Sequence, residues 1–204
     1  MARIVKTADE RRIEIIKTAE KLFNEKGFAR TSVESIIQTI GVAKGTFYYY
    51  FKSKEDVLKA IVDLQLDEIV AMAEQVAGDQ SIDALTKMKM LLSGGKMGDE
   101  KTDDLVDHLH LPGNRELHEQ INIQTVIRLS PVFAKIITQG NTENVFHVER
   151  PLETIRFLLT GAQFLLDGGL FHLSASEEKE QRAALQYIVE SVLGAAAGSF
   201  SFLN

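Results

Sequence analysis

The sequence contains no cysteine. That excludes a disulfide framework, a thiolate zinc site and a thiol nucleophile. Proline occurs only at 112, 131 and 151, so little interrupts a helical chain. No stretch sustains the apolar–polar alternation that marks a half-buried strand. Long apolar runs are missing too. The longest, Phe157 to Leu173, is broken by Gln163, Asp167 and His172. It is too short and too polar for a membrane span, which needs about 20 apolar residues. The glycine-rich stretch SGGKMGDEKT, at 93–102, lacks the GxxxxGK[ST] spacing of a phosphate loop and reads as a flexible connection. The first residues are polar and charged, with no apolar signal segment. The expectation from these absences is an intracellular, cytoplasmic chain of all-α class with no membrane partner.

What is present supports a folded protein. The 204 residues are 45% hydrophobic, enough for one or two domains with a real core. The net charge of −6 is unevenly spread. Residues 1–60 hold 12 Lys and Arg against 8 Asp and Glu, a balance of +4, and the remainder holds 11 against 21, a balance of −10. A basic head on an acidic body means either that the head alone meets a polyanion or that surface charge fell this way by chance.

Apolar spacing of helical period predicts about nine helices. The first covers 9–26, with Ile13, Ile16, Ala19, Leu22 and Phe23 as its inward stripe and Gly27 as its cap. Thr31 and Glu34 have the spacing of a capping box and open a short helix that Gly41 ends. A third helix covers 43–51. Ser53, with Asp56 three residues on, starts a long helix over 54–77. Five more are expected near 81–93, 101–111, 114–139, 150–172 and 177–198. Pro131 should kink or end the first half of its helix, and Pro151 fits a first turn. The predicted organisation is a three-helix head, residues 1–53, and a helical body, residues 54–204. The join lies in a helix rather than a linker.

The stretch GVAKGTFYYYFKSKEDVL, at 41–58, packs three tyrosines, two phenylalanines and three lysines into one run. On a helix, Phe47 and Phe51 share one face and can pack on Phe23, Ile36 and Ile40. Lys44 and Tyr48 share another face, flanked by Thr46 and Tyr49. One face is thus core, and the other is stiff, positive and rich in hydrogen-bond donors. Such a face suits phosphates, sugars and thymine methyls. Gly45 leaves the backbone bare for close approach. Three short helices with the third basic outline a helix-turn-helix unit.

With AEKLF at 19–23, KGF at 26–28 and TSV at 31–33, this motif resembles the tetracycline-repressor (TetR) family of transcriptional regulators. The resemblance spans roughly residues 11–60. It implies an all-α homodimer that binds palindromic operators and is released by a small ligand. Carried over by position, it implies that Lys44, Gly45, Thr46, Tyr48 and Tyr49 enter the major groove. It also implies that Thr31, Ser32, Tyr50 and Lys54 hold phosphates, although Tyr50 suits half-buried packing nearly as well. Two positions depart from the family pattern. Ala43 stands where a capping serine is common, and Ile37 where alanine is usual.

In the body, small residues mark the last two helices: Gly161, Ala162, Gly168 and Gly169 on one, and the run Gly194 to Gly198 on the other. They permit close approach, either across a two-fold four-helix interface or within one chain. The interface residues expected are Phe157, Leu158, Gly161, Leu165, Tyr187, Val189, Val192 and Ala196. Polar groups among apolar ones would line a cavity for an unidentified small-molecule effector: His108, His118, Asn122, Gln124 and Gln163, with His110 and Arg128 nearby. Asp104 and His108 are four apart, but His110 falls off their face and no third ligand completes a metal site. No metal or cofactor is expected.

The function expected is a ligand-responsive DNA-binding repressor that acts as a homodimer on a palindromic operator. One alternative is an effector-independent DNA-binding dimer. Another is an enzyme using the body cavity, although no nucleophile–base pair can be placed.

Overall fold

A computed structural model describes residues 6–93, 115–166, 171 and 173–203. Among them are eight α-helices and no strand: α1 Ala8–Lys26, α2 Val33–Ile40, α3 Lys44–Tyr50, α4 Lys54–Gly78, α5 Ala84–Ser93, α6 Arg115–Thr142, α7 Pro151–Leu165 and α8 Ala175–Leu193. A 3-10 turn follows at Ser201–Leu203. The helix expected near 101–111 lies outside the described residues. Two compact units divide the chain. The first runs to Asp67, inside α4; the second takes up α4 from Glu68, α5 and, from Glu119, α6 to α8. No described helix is long and apolar enough to cross a membrane.

The first unit is built from caps and a single apolar cluster. Thr7 and Glu10 satisfy each other's backbone amides at the start of α1. Gly27 takes φ 81° at its end, where only glycine is unstrained. Ile15, Ile16, Ala19, Leu22 and Phe23 are buried along α1, and Ile13, expected in that stripe, is only partly so. The capping box of α2 is shifted by one residue from the expected one. Ser32, not Thr31, is the cap, and its partner is Ser35, not Glu34. Thr31 is 1% exposed, and its hydroxyl donates to the carbonyl oxygens of Leu22 and Gly27. Ser53 and Asp56 open α4 as expected. The Asp56 N–H reaches Ser53 Oγ at 3.3 Å, and the Lys52 N–H reaches Asp56 Oδ2 at 3.0 Å. The first turns of α4 belong to the head's core through Val57, Leu58, Ala60 and Ile61.

The second unit packs α5 to α8 and the end of α4 around Met88, Phe133, Ile136, Ile137, Phe146 and Phe200. Pro131 cannot donate to the turn before it, yet α6 runs on through Thr142. Of the two outcomes expected at Pro131, the helix does not end there, because the buried face of Val132, Phe133, Ile136 and Ile137 continues past the proline. Near the end of α6, Gly140 makes room for the Phe146 ring; a Cβ there would lie 2.0 Å from a ring carbon. Lys87, fully buried, donates to the Ala77 carbonyl at the end of α4 and to Gln139 Oε1 on α6. Pro151 sits in the first turn of α7 as expected.

Both C-terminal helices are shorter than expected. α7 ends at Leu165, where the Leu166 N–H closes the last turn. α8 ends at Leu193, because Gly194 turns left-handed with φ 64°. The run Gly194 to Gly198 is therefore turn rather than a helical stripe. A carboxylate holds that turn. Glu190 Oε1 accepts the Phe200 N–H at 3.0 Å and Gln186 Nε2 at 2.8 Å. These two bonds, the Phe200 amide first, hold the Glu190 carboxyl below the usual carboxylate range.

Candidate nucleic-acid interface

The recognition segment is a seven-residue helix with two unlike faces. A helix this short is marginal by itself, so packing must hold it. Ala43 stands at its N-cap and provides no side-chain bond, which the sequence departure predicts. Phe47 and Phe51 supply the hold: both are buried, with ring centroids 6.1 Å apart, in the cluster that contains Phe23 and Ile36. The Arg12 guanidinium lies 5.3 Å from the Phe51 ring centroid. Ile37 is accommodated as a partly buried member of the same cluster.

The other face is open. Tyr49 is 79% exposed and Tyr48 44%. Lys44 is exposed as well, with Nζ 3.9 Å from Glu34 Oε1 and 5.8 Å from the Tyr48 ring centroid. An exposed pair at that distance is worth little, so the ammonium is free to turn toward a phosphate. Gly45 has no neighbour within 4 Å of where a Cβ would sit, and its φ is not positive. Nothing among the described residues requires a glycine there. Thr46 is half-buried at the margin. Tyr50 is half-buried on the head core, with its ring edge against Tyr49 at 4.9 Å, so packing is at least part of its role.

A concavity of about 440 Å³ adjoins this face, lined by Arg30, Ser32, Glu34, Tyr48, Lys52 and Lys54 among others. It brings the starts of α2 and α4 beside α3. Ser32 is exposed at its rim, with its hydroxyl accepting the Ser35 N–H. Thr31 does not qualify as a phosphate ligand: its side chain is buried and spent on α1 and Gly27 carbonyls. Arg30 and Lys52, which sequence reasoning missed, both face the concavity and are exposed. The signal for them was only their nearness to Thr31 and Lys54.

The body residues separate differently. Phe157 is 83% exposed, and Leu165 and Val192 are exposed too. Gly161 is half-buried with open space around it. Leu158 packs partly on the body's own core. Val189 is only 7% exposed and belongs to that core, so it leaves the interface set. Ala196 leaves the helical stripe, because it lies in the turn beyond α8. Phe164, Ile188 and Phe171 are exposed apolar residues that the sequence reading did not single out. The spacing of seven between Phe157 and Phe164 was the available signal.

Of the expected effector residues, Asn122 and Gln163 meet: Gln163 Nε2 donates to Asn122 Oδ1 at 2.7 Å, joining α6 to α7. Gln124, two residues along α6, falls on another face. His108 and His110 lie outside the described residues, as does the His118 side chain. A cleft of about 510 Å³ opens elsewhere in the body, beside Phe146, His147, Gly194 and Ser199. No cluster of three metal-ligating side chains occurs among the described residues.

Comparison with known proteins agrees with this geometry. The family model described as "Bacterial regulatory proteins, tetR family" matches residues 15–61. A second, "Tetracyclin repressor-like, C-terminal domain", matches residues 99–187. A protein described as the uncharacterized HTH-type transcriptional regulator YfiR of Bacillus subtilis is 25% identical over 189 residues, 87% of each chain. The HTH-type transcriptional regulator TtgR of Pseudomonas putida is 32% identical over 85 residues, 42% of this chain and 40% of that one. A TetR-family transcriptional regulator from Pectobacterium atrosepticum superposes with a TM-score of 0.68 at 19% identity, covering 92% of this chain and 98% of that one. One family model thus covers the head and the other much of the body, and these relatives are described as transcriptional regulators. The chain belongs to the TetR family of bacterial regulatory proteins and is a DNA-binding regulator of transcription.

Proposed function

We propose that this regulator is a repressor that binds a palindromic operator as a homodimer and lets go when a small molecule binds the body. One observation carries the DNA part: α3 exposes Lys44, Gly45, Tyr48 and Tyr49 while Phe47 and Phe51 anchor it from beneath. In this reading those four residues and Thr46 enter the major groove, and Ser32 and Tyr50 meet the backbone. A phenol can donate to phosphate or lie along a sugar, and an ammonium contributes charge, so affinity should fall steeply with salt.

The homodimer is supported by apolar surface that a single chain leaves bare. Phe157, Phe164 and Leu165 on α7, and Tyr187, Ile188 and Val192 on α8, are all exposed. A two-fold axis through such a face buries it against its own copy and spaces the two heads for neighbouring grooves. Release by effector is supported by the family and by the polar pair Asn122 and Gln163 at a helix junction. A ligand acts here only if it prefers the conformation that cannot bind DNA.

The test uses the full chain and duplexes that it selects from a random pool. The selected sequences should converge on an inverted repeat. Lys44→Ala and Tyr48→Ala should each weaken binding by roughly five- to a hundredfold, as expected for losing contacts worth about 1–3 kcal/mol. Unchanged affinity in both variants would remove α3 from the interface.

A further inference from the structure

Lys54 opens α4, and by resemblance its ammonium is due at a phosphate. The structure uses it inside the head. Its Nζ donates to the Phe28 carbonyl oxygen at 2.9 Å and to the Thr31 carbonyl oxygen at 3.3 Å. The same atom lies 4.3 Å from the centroid of the Phe28 ring. An ammonium has three N–H donors and no acceptor. Two are given to carbonyls, and the ring face takes up charge beside them. Lys54 is also half-buried, unlike a cation held out for a ligand.

Both carbonyls belong to the turn between α1 and α2. The Thr31 hydroxyl also ties this turn to the Leu22 and Gly27 carbonyls. The turn is therefore bonded to two helices, to α1 through Thr31 and to α4 through Lys54. Ser32 follows at once and starts α2. Where this turn stands decides where the rim of the concavity stands. Arg30 and Lys52 line the same concavity and are exposed, and neither has a hydrogen-bond or ion-pair partner for its side chain among the described residues.

We propose that Lys54 is a positioning residue of the DNA-binding head: its ammonium pins the α1–α2 turn to the start of α4, and Arg30 and Lys52 are the cations at this rim that meet phosphate. The inference depends on the DNA-binding reading and deepens it. It predicts that losing Lys54 weakens DNA binding without removing a phosphate contact.

Salt dependence separates the two roles. Each phosphate neutralised adds about 0.9 to the slope of log affinity against log salt. Affinity of the full chain for its selected duplex is measured across a salt series for the wild type, Lys54→Met, Arg30→Gln and Lys52→Gln. Binding is expressed per folded molecule, well below the unfolding temperature. Lys54→Met should lose about tenfold in affinity at every salt, with the wild-type slope, because only charged hydrogen bonds within the head are lost. Arg30→Gln and Lys52→Gln should each lower the slope by about 0.9 per subunit. A Lys54→Met slope lower by that amount, or an affinity per folded molecule equal to wild type, overturns the proposal.

If Lys54→Met does not fold, Lys54→Arg decides. A phosphate role tolerates arginine with affinity and slope kept. A positioning role does not, because a planar guanidinium cannot replace a compact ammonium between two carbonyls and a ring. Amide hydrogen exchange at Ser32 to Ser35, without DNA, gives a second readout. Faster exchange in either variant supports the pin, and unchanged exchange refutes it. A wild-type chain that selects no duplex would count against the DNA-binding reading. The exchange result would still decide whether Lys54 holds the turn.

Discussion

Two residues set single-site expectations. Gly45 lies in the first turn of α3 with empty space where a Cβ would go. Glycine in a helix costs roughly 0.5–1 kcal/mol against alanine. Gly45→Ala should therefore raise the head's unfolding temperature while weakening operator binding, a divergence that calorimetry and a binding titration would reveal together. Glu190 gives a pH expectation. Its carboxyl titrates below the usual range because the folded state donates the Phe200 N–H and Gln186 Nε2 to it. A depressed folded value means that this stabilisation is complete above the unfolded carboxylate range and disappears as pH falls through the folded value. Thermal unfolding of wild type and Glu190→Gln should thus differ at neutral pH, and the gap should narrow as pH falls below the unfolded glutamate value of about 4.3.

At the scale of elements, the uncapped start of α3 is the clearest target. Ala43→Ser would offer the missing hydroxyl to the first-turn amides, as Ser32 does for α2. A cap of this kind is worth about 1 kcal/mol. Amide exchange in α3 should slow in the variant without DNA. The elements were also where the sequence was most readable and where its limits were sharpest. Periodicity and punctuation placed α1 to α5 to within about three residues, because Gly27, Gly41 and Ser53 act locally. Thr31 against Ser32 could not be decided that way. Adjacent hydroxyls have equal claim to a cap, and only the distant Leu22 carbonyl turns Thr31 inward. The end of α8 departs from the sequence expectation for another reason. Three alanines after Gly194 favour helix, but Glu190 captures the Phe200 amide and folds the chain back. Val189 and Ile188 posed a similar problem. Both are apolar neighbours on one helix, and only packing shows that Val189 faces the core. The recognition face was legible because ring and ammonium spacing separates inward from outward on so short a helix.

At the scale of the whole molecule, the bare apolar face of α7 and α8 has the most measurable consequence. Phe157→Glu places a charge on its most exposed ring. Burying an unpaired carboxylate in an apolar interface costs several kcal/mol. Light scattering should show the wild type at twice the chain mass and the variant at one. Helix content should be unchanged, since Phe157 contributes nothing to the body's core cluster. An unchanged mass for the variant would place the two-fold contact on another surface.

The division of labour within α3 has one more consequence. Its inward rings hold the fold, and its outward groups hold almost nothing among the described residues. Lys44 and Tyr49 can therefore be exchanged without a large penalty to folding. A lineage carrying this helix is free to drift from one target site to another, and a designer can transplant a foreign reading surface onto it while leaving the phenylalanines alone.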